Sequence, residues 1–228
     1  MQRQELVNSQ PVDSEVIIET RELSRVYPGV VALDNVNYRV YRNKVNVLIG
    51  ENGAGKSTMM KMLAGVETPS SGQIILDGAP VTLSSTHQAE KQGISIIFQE
   101  LNLFPNMNVM DNIFMANEFF QKGKINEKYQ YELAKSLLER LELDVDPYTQ
   151  LGELGIGHQQ LVEIARALSK DTRVLIMDEP TSALSQSEVK ILFNVIEQLK
   201  RRGVTIIYIS PRLEELMEIG DHITIFRD

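Results

Sequence analysis

The chain has 228 residues, of which 43% are hydrophobic and 24% charged, a composition typical of one large globular domain or of a domain with a subdomain. It contains no cysteine, which excludes disulfides, thiol catalysis and cysteine metal sites. A net charge of −8 argues against a broad nucleic-acid surface, and no apolar run is long enough to cross a bilayer. A role at a membrane would therefore have to involve a partner. Residues 1–14 are polar and aperiodic and contain Pro11, which predicts a flexible segment without the apolar core of a signal peptide.

The elements that follow predict an α/β fold. Residues 16–19 and 36–40 alternate enough for a small antiparallel sheet. Continuous Val- and Ile-rich runs predict buried strands of a mostly parallel sheet at 45–49, 94–98, 174–177 and 204–209. Residues 101–155 show no convincing strand, and leucine spacing predicts a helix within 127–143. We therefore expect one domain over 15–228, with an N-terminal antiparallel β subdomain and a helical subdomain at about 101–165.

Two further helices are predicted by apolar residues that recur at helical spacing. The first stripe includes Leu161 and Leu168, and the second runs from Val189 to Leu199. A capping box from Ser185 to Glu188 should begin the second helix. Both stripes indicate core packing.

A phosphate-binding loop follows the first parallel strand, because residues 50–57 match G-x-x-x-x-G-K-[ST] at every fixed position. Its glycines would let successive backbone N–H groups point at phosphate oxygens, next to the helical run at 58–64. Lys56 should reach the β- and γ-phosphates, and the Ser57 hydroxyl should ligate Mg²⁺. The alternative is a chance glycine-rich turn. The candidate ligand residues are Gly50, Glu51, Asn52, Gly53, Ala54, Gly55, Lys56, Ser57 and Thr58.

Two adjacent carboxylates end the strand at 174–177. In a protein with a phosphate-binding loop, Asp178 would hold Mg²⁺ and Glu179 would act as general base on the attacking water. Adjacent strand residues point to opposite faces, so we expect the turn at Pro180 to redirect Glu179. A solvated acidic turn is the alternative.

The remaining motifs resemble those of ABC transporter ATP-binding domains, over residues 16–228. Gln99 resembles the Q-loop glutamine that touches Mg²⁺ or the attacking water, residues 181–185 resemble the D-loop, and Tyr27 resembles the aromatic residue that stacks on adenine. The segment before the helix at 161–168 resembles the signature that contacts the partner's ATP. It consists of Leu154, Gly155, Ile156, Gly157, His158 and Gln159.

Residues 27–36, 50–58 and 99–103 are similar to carbohydrate importers of the ribose, galactose and xylose type, which have two fused nucleotide-binding domains. This resemblance implies an excised N-terminal half that binds ATP and Mg²⁺. It also implies head-to-tail closure on a second ATP-binding domain, either a fused half or a second copy. Transmembrane permease subunits would be the direct partners and a periplasmic sugar-binding protein an indirect one, with the chain peripheral on the cytoplasmic face of the inner membrane.

Two positions depart from the family pattern. Pro211 stands at the switch position, where the family has a histidine that contacts the γ-phosphate. Because proline has no side-chain donor and no backbone N–H, hydrolysis should be slow, although Pro211 could also simply begin a helix at Arg212. Gly155 replaces the usual signature serine and His158 replaces a glutamine or an acid, so both would affect only the partner's ATP.

Other function classes explain less of the sequence. A DNA-repair or chromosome ATPase would need coiled-coil arms between the phosphate loop and the signature, and no sustained heptads occur there. A small-molecule kinase leaves Gln99 and residues 154–168 unexplained. A nucleotide-gated binding module with little turnover agrees with Pro211 and stays open.

Overall fold

The computed structural model describes residues 15–227, so the predicted flexible segment at 1–14 lies outside the described residues. Two long strands come first among these residues, and helices are interspersed with strands after them. The strands are β1 Val16–Tyr27, β2 Val30–Tyr41, β3 Val45–Gly50, β4 Ser71–Leu76, β5 Ala79–Val81, β6 Ile94–Ile97, β7 Phe120–Gln121, β8 Lys124–Ile125, β9 Val174–Asp178, β10 Thr205–Ile209 and β11 His222–Phe226. The helices are α1 Lys56–Leu63, α2 Thr86–Lys91, α3 Val109–Phe114, α4 Glu127–Arg140, α5 Ile156–Leu168, α6 Gln186–Arg201 and α7 Leu213–Ile219, with a 3₁₀ turn at Leu151–Glu153.

A parallel sheet of order β11-β3-β10-β9-β6 forms the centre of the fold. The four strands predicted from Val- and Ile-rich runs are all in it, and their side chains are almost entirely buried on both faces. One face packs with α1 and the antiparallel sheet, and the other packs with α3, α4, α5 and α6. These two layers explain why the strands are continuously apolar.

The antiparallel sheet has the order β2-β1-β4-β5. Ile18 pairs with Val40 and Glu19 with Arg39, which confirms the sheet predicted from residues 16–19 and 36–40. β4 and β5 have no counterpart in the sequence prediction, because β4 begins with three exposed residues that do not alternate with buried ones and β5 has only three residues.

The segment between β6 and α5 contains the helices α3 and α4 joined by turns and loops, and α4 confirms the helix expected within 127–143. The expectation of no strand there was wrong in one detail, because β7 and β8 form a two-residue hairpin. Its turn residues, Lys122 and Gly123, both have positive φ, at 52° and 77°. Such turns match the twist of a hairpin, and the strands are too short to give an alternating pattern. Among the described residues, none of the helices has both the length and the apolarity to cross a bilayer.

Candidate functional site

The predicted site residues follow the carboxyl ends of neighbouring parallel strands. Leu48 of β3 is in register with Ile209 of β10, Ile209 with Asp178 of β9, and Met177 with Ile97 of β6. The phosphate loop, the acidic pair, the switch position and the Gln99 segment therefore leave the sheet along one edge. In open α/β sheets, ligands bind at this edge.

The phosphate loop is shaped by two glycines in the left-handed region, Gly53 at φ 93° and Gly55 at φ 84°. Gly55 also caps the N-terminus of α1, and a Cβ at this position would lie 2.6 Å from the Ala32 carbonyl oxygen. Only glycine fits such a contact at that φ. Glu51 and Asn52 are exposed, so the loop opens to solvent.

Lys56 lies across this loop with its side chain partly exposed. Its Nζ donates to the carbonyl oxygens of Gly50 at 2.7 Å and Glu51 at 2.8 Å. These neutral acceptors are weaker partners for an ammonium group than phosphate oxygens. The lysine is therefore placed at the loop and can exchange its carbonyl partners for an anion.

Ser57 and Asp178 are brought together by the packing of α1 against β9. The Ser57 hydroxyl lies close to the Asp178 carboxylate. Burial raises the pKa of Asp178, while the nearby Ser57 hydroxyl and the charges of Lys56 and Lys61 act in the opposite direction. A hydroxyl and a partly buried carboxylate next to a phosphate loop are the oxygen donors that Mg²⁺ prefers.

Glu179 is redirected from the strand by its own backbone, since its φ is 49°. The reorientation expected from the turn at Pro180 is thus made one residue earlier. The Glu179 N–H donates to the Ile209 carbonyl at 2.9 Å, and the Glu179 carbonyl accepts the Ser182 N–H at 3.2 Å. A left-handed glutamate costs about 1–3 kcal/mol, a kind of strain that is concentrated at functional sites.

Pro211 is exposed after β10, next to this turn. The expectation that the helix begins at Arg212 was wrong by one residue, because α7 begins at Leu213 and Arg212 is its N-cap with an extended ψ of 101°. Arg212 stays outside the helix because the Ser210 hydroxyl accepts its N–H at 3.1 Å. Proline therefore stands two residues before the helix.

Tyr27, at the end of β1, is held by two residues that sequence reasoning missed. The Arg25 guanidinium lies 4.7 Å from its ring centroid, and the Tyr27 hydroxyl is hydrogen-bonded to Glu67. Arg25 also forms an ion pair with Glu67 at 3.2 Å. With one ring face under the guanidinium, only the opposite face of Tyr27 can stack on a base.

The signature segment leads into α5, with exposed Gly155 as an N-cap that has no side chain to accept a hydrogen bond. The Gly157 N–H donates to Glu188 at the start of α6, at 3.1 Å. Gln159 bonds back to the Leu154 carbonyl at 2.8 Å, while the His158 side chain is exposed.

Gln99 is exposed two residues beyond the end of β6, so its contact with Mg²⁺ or water stays a prediction. Further along this segment, α5 holds the backbone of Asn102 from both sides. Glu163 accepts its N–H at 3.3 Å, and Arg166 donates to its carbonyl at 2.8 Å. The sequence predicted only core packing for the apolar stripe of α5 that includes Leu161 and Leu168, because a stripe pattern does not report polar contacts.

Curated relatives of this chain include sugar import ATP-binding proteins. The chain is 50% identical over 217 residues to the xylose import ATP-binding protein of Thermoanaerobacter pseudethanolicus, covering 94% of this chain and 43% of that protein. It is 46% identical over 218 residues to the ribose import ATP-binding protein of Rhodopirellula baltica, covering 95% of this chain and 43% of that protein. The chain thus spans less than half the length of these relatives.

Solved structures share the fold. An ATP-binding cassette of an ABC transporter in its ADP conformation superposes with a TM-score of 0.80 at 26% identity, over 92% of this chain and 87% of that one. A dimeric cassette in a post-hydrolysis state with ADP and Pi gives a TM-score of 0.78 at 22% identity, over 92% and 94%. The sequence model of the ABC transporter family matches residues 33–182, more than half of the chain. With the motifs assembled at one sheet edge, the chain belongs to the ABC transporter family of ATP-binding domains.

Proposed function

We propose that the chain binds Mg-ATP at residues 50–58 and drives sugar import as one half of a head-to-tail ATPase pair. The observation that carries the proposal is the convergence of the phosphate loop, the acidic strand end and the switch position at one edge of the parallel sheet, where Ser57 lies close to Asp178. The similarity to xylose and ribose import ATP-binding proteins supports a sugar as cargo.

In this site, the loop N–H groups and Lys56 bind the phosphates, and the free face of Tyr27 stacks on the base. Ser57, Asp178 and Gln99 would hold Mg²⁺, which neutralises phosphate charge when bound. Glu179 orients a water and accepts its proton.

A second candidate function is a nucleotide-gated module with little hydrolysis. Pro211 favours it, because position 211 offers no donor to the γ-phosphate or the water. ATP would then hold two domains together without rapid turnover.

The proposed partners are a second ATP-binding domain, fused or a second copy, and transmembrane permease subunits that meet a periplasmic sugar-binding protein. The signature residues 154–159 would contact the partner domain's ATP. The chain would be peripheral, on the cytoplasmic face of the inner membrane.

Binding is tested by titrating the chain with Mg-ATP in a calorimeter. The substitution Lys56→Ala should weaken binding by about tenfold or more, because it removes a charge-assisted contact, while Lys190→Ala on the exposed side of α6 should not. Equal affinity of both variants would overturn the phosphate site. Uptake of labelled xylose, ribose and galactose by cells that carry either variant then tests the cargo, and unchanged uptake with Lys56→Ala would refute a role in import.

A further inference from the structure

One buried carboxylate next to the site is used by none of the roles described above. Glu215 of α7 is 7% exposed. Its Oε2 accepts the hydroxyls of Thr181 at 2.8 Å, Ser210 at 2.8 Å and Tyr208 at 3.1 Å. Its Oε1 accepts Arg212 at 3.2 Å. A buried carboxylate is costly unless it has such partners, so this arrangement fixes all four donors.

Three of the four donors come from the two turns that flank the predicted reaction centre, and the fourth, Tyr208, lies in β10. Thr181 lies two residues after Glu179, the predicted base. Ser210 and Arg212 lie on either side of Pro211, the switch position. The turns also meet directly, because the Glu179 N–H donates to the Ile209 carbonyl.

We propose that Glu215 is a positioning residue that fixes the position of two turns relative to each other. These are the Glu179 turn, residues 179–182, and the switch turn, residues 210–212. The expected effect on reaction rate rests on the proposed ATP hydrolysis, whereas the structural link between the two turns does not. Thr181 and Ser210 donate to the same oxygen atom of Glu215. Loss of either hydroxyl should therefore let the Glu215 side chain move, which weakens its hydrogen bond to the other turn. Misplacing a reacting group by about 1 Å can cost about 10²-fold in rate.

The arrangement also explains how proline is accommodated at position 211. The switch turn is anchored to Glu215 through the residues on both sides of position 211, Ser210 and Arg212, so this anchoring needs no hydrogen bond from residue 211 itself. A histidine introduced at position 211 would therefore lie in a turn whose backbone is already anchored on both sides.

Hydrogen exchange of variants that keep Pro211 tests the link without any need for hydrolysis. The reporter amides are Ser182, which donates to Glu179, and Arg212, which donates to Ser210. Thr181→Val should speed exchange of the Arg212 amide by about fivefold, and Ser210→Ala should do the same to Ser182. Ser136→Ala, an exposed hydroxyl on α4, is the control and should change neither. Effects confined to the substituted turn overturn the proposal.

A kinetic test then separates positioning from simple stability, in the Pro211→His background. Glu215→Gln keeps an acceptor for the hydroxyls but loses one for Arg212, so we expect kcat to fall about tenfold with KM for Mg-ATP nearly unchanged. Equal kcat in the two proteins overturns the catalytic consequence. If the Pro211→His parent itself shows no turnover above Glu179→Gln, the proposed hydrolysis fails, and the exchange result still decides the structural link.

Discussion

Gly157 of the signature donates its N–H to Glu188 Oε1 at 3.1 Å, which ties the first turn of α5 to the first turn of α6. The other oxygen of Glu188 accepts the N–H of Ser185 at 2.8 Å and its hydroxyl at 2.6 Å. One carboxylate therefore completes the cap of α6 and fixes the signature, which explains why its pKa is lowered, chiefly by the Ser185 hydrogen bonds.

Removal of this carboxylate should loosen both helix starts. Glu188→Ala should lower the free energy of unfolding by about 1–2 kcal/mol, because it removes a capping box and leaves the Gly157 N–H unpaired. Urea unfolding measures the loss, with Glu132→Ala on the exposed side of α4 as the control. Equal stability of the two variants would show that the link contributes nothing.

The two signature glycines should differ sharply in their tolerance of a side chain. A Cβ at Gly155 meets nothing within 4 Å, whereas a Cβ at Gly157 would lie 2.4 Å from Glu188 Oε1. Gly155→Ser should therefore leave the fold intact and gain a few tenths of a kcal/mol as an N-cap, while Gly157→Ser should lose about 1–3 kcal/mol. Thermal unfolding of the pair measures this difference.

The same serine has a functional consequence if the signature serves a partner's ATP. In the Pro211→His background, Gly155→Ser should raise turnover only at protein concentrations where the domains associate. A rise that is the same at every concentration would contradict a contact across the dimer.

Much of the site could be predicted because its residues follow strands whose apolar runs are easy to recognise. Gly50 to Ser57 and Asp178 come directly after such runs, and Pro211 comes two residues after one. The parallel sheet brings these ends together. Other candidates, such as Tyr27 and Gln99, were predicted only from the resemblance to the family motifs.

The support of the site could not be predicted in the same way. Glu215 gathers donors from Thr181 and Ser210, which are 34 and 5 residues away, and no spacing rule connects them. The left-handed φ of Glu179 depends on its bond to Ile209 of a neighbouring strand, which only the sheet order reveals. The contacts of Tyr27 with Arg25 and Glu67 could not be predicted either, because Glu67 lies 40 residues further along the chain.

Turnover should respond strongly to position 211. Pro211→His should raise the Mg-ATP hydrolysis rate by about 10²–10³-fold, because it restores one donor to the developing charge. The rate is measured by phosphate release at several protein concentrations. Glu179→Gln in the same background should abolish the gain, and a variant that binds ATP but stays as slow as the parent would instead favour the nucleotide-gated module.

The free energy of unfolding should depend on pH through Glu163. This buried residue of α5 accepts the Asn102 N–H in the segment that follows Gln99. Burial raises the pKa of Glu163 to about 7 from an ordinary 4.5, against the Asn102 N–H and the Arg166 charge, which lower it. Its Oε2 has no hydrogen-bond partner among residues 15–227, so the charged form is poorly compensated. The folded chain therefore keeps a proton between pH 4.5 and about 7 that the unfolded chain has released.

Because the folded state binds more protons in that window, its stability falls as the pH rises through it and levels off above about pH 7. Glu163→Gln retains an acceptor for the Asn102 N–H and removes the titration. Urea unfolding at about pH 5 and about pH 8 should show a pH-dependent loss smaller by about 2–3 kcal/mol in this variant than in the parent. Glu139→Gln, exposed on α4, should retain the parent's loss. If all three proteins lose the same free energy, Glu163 is not the titrating group.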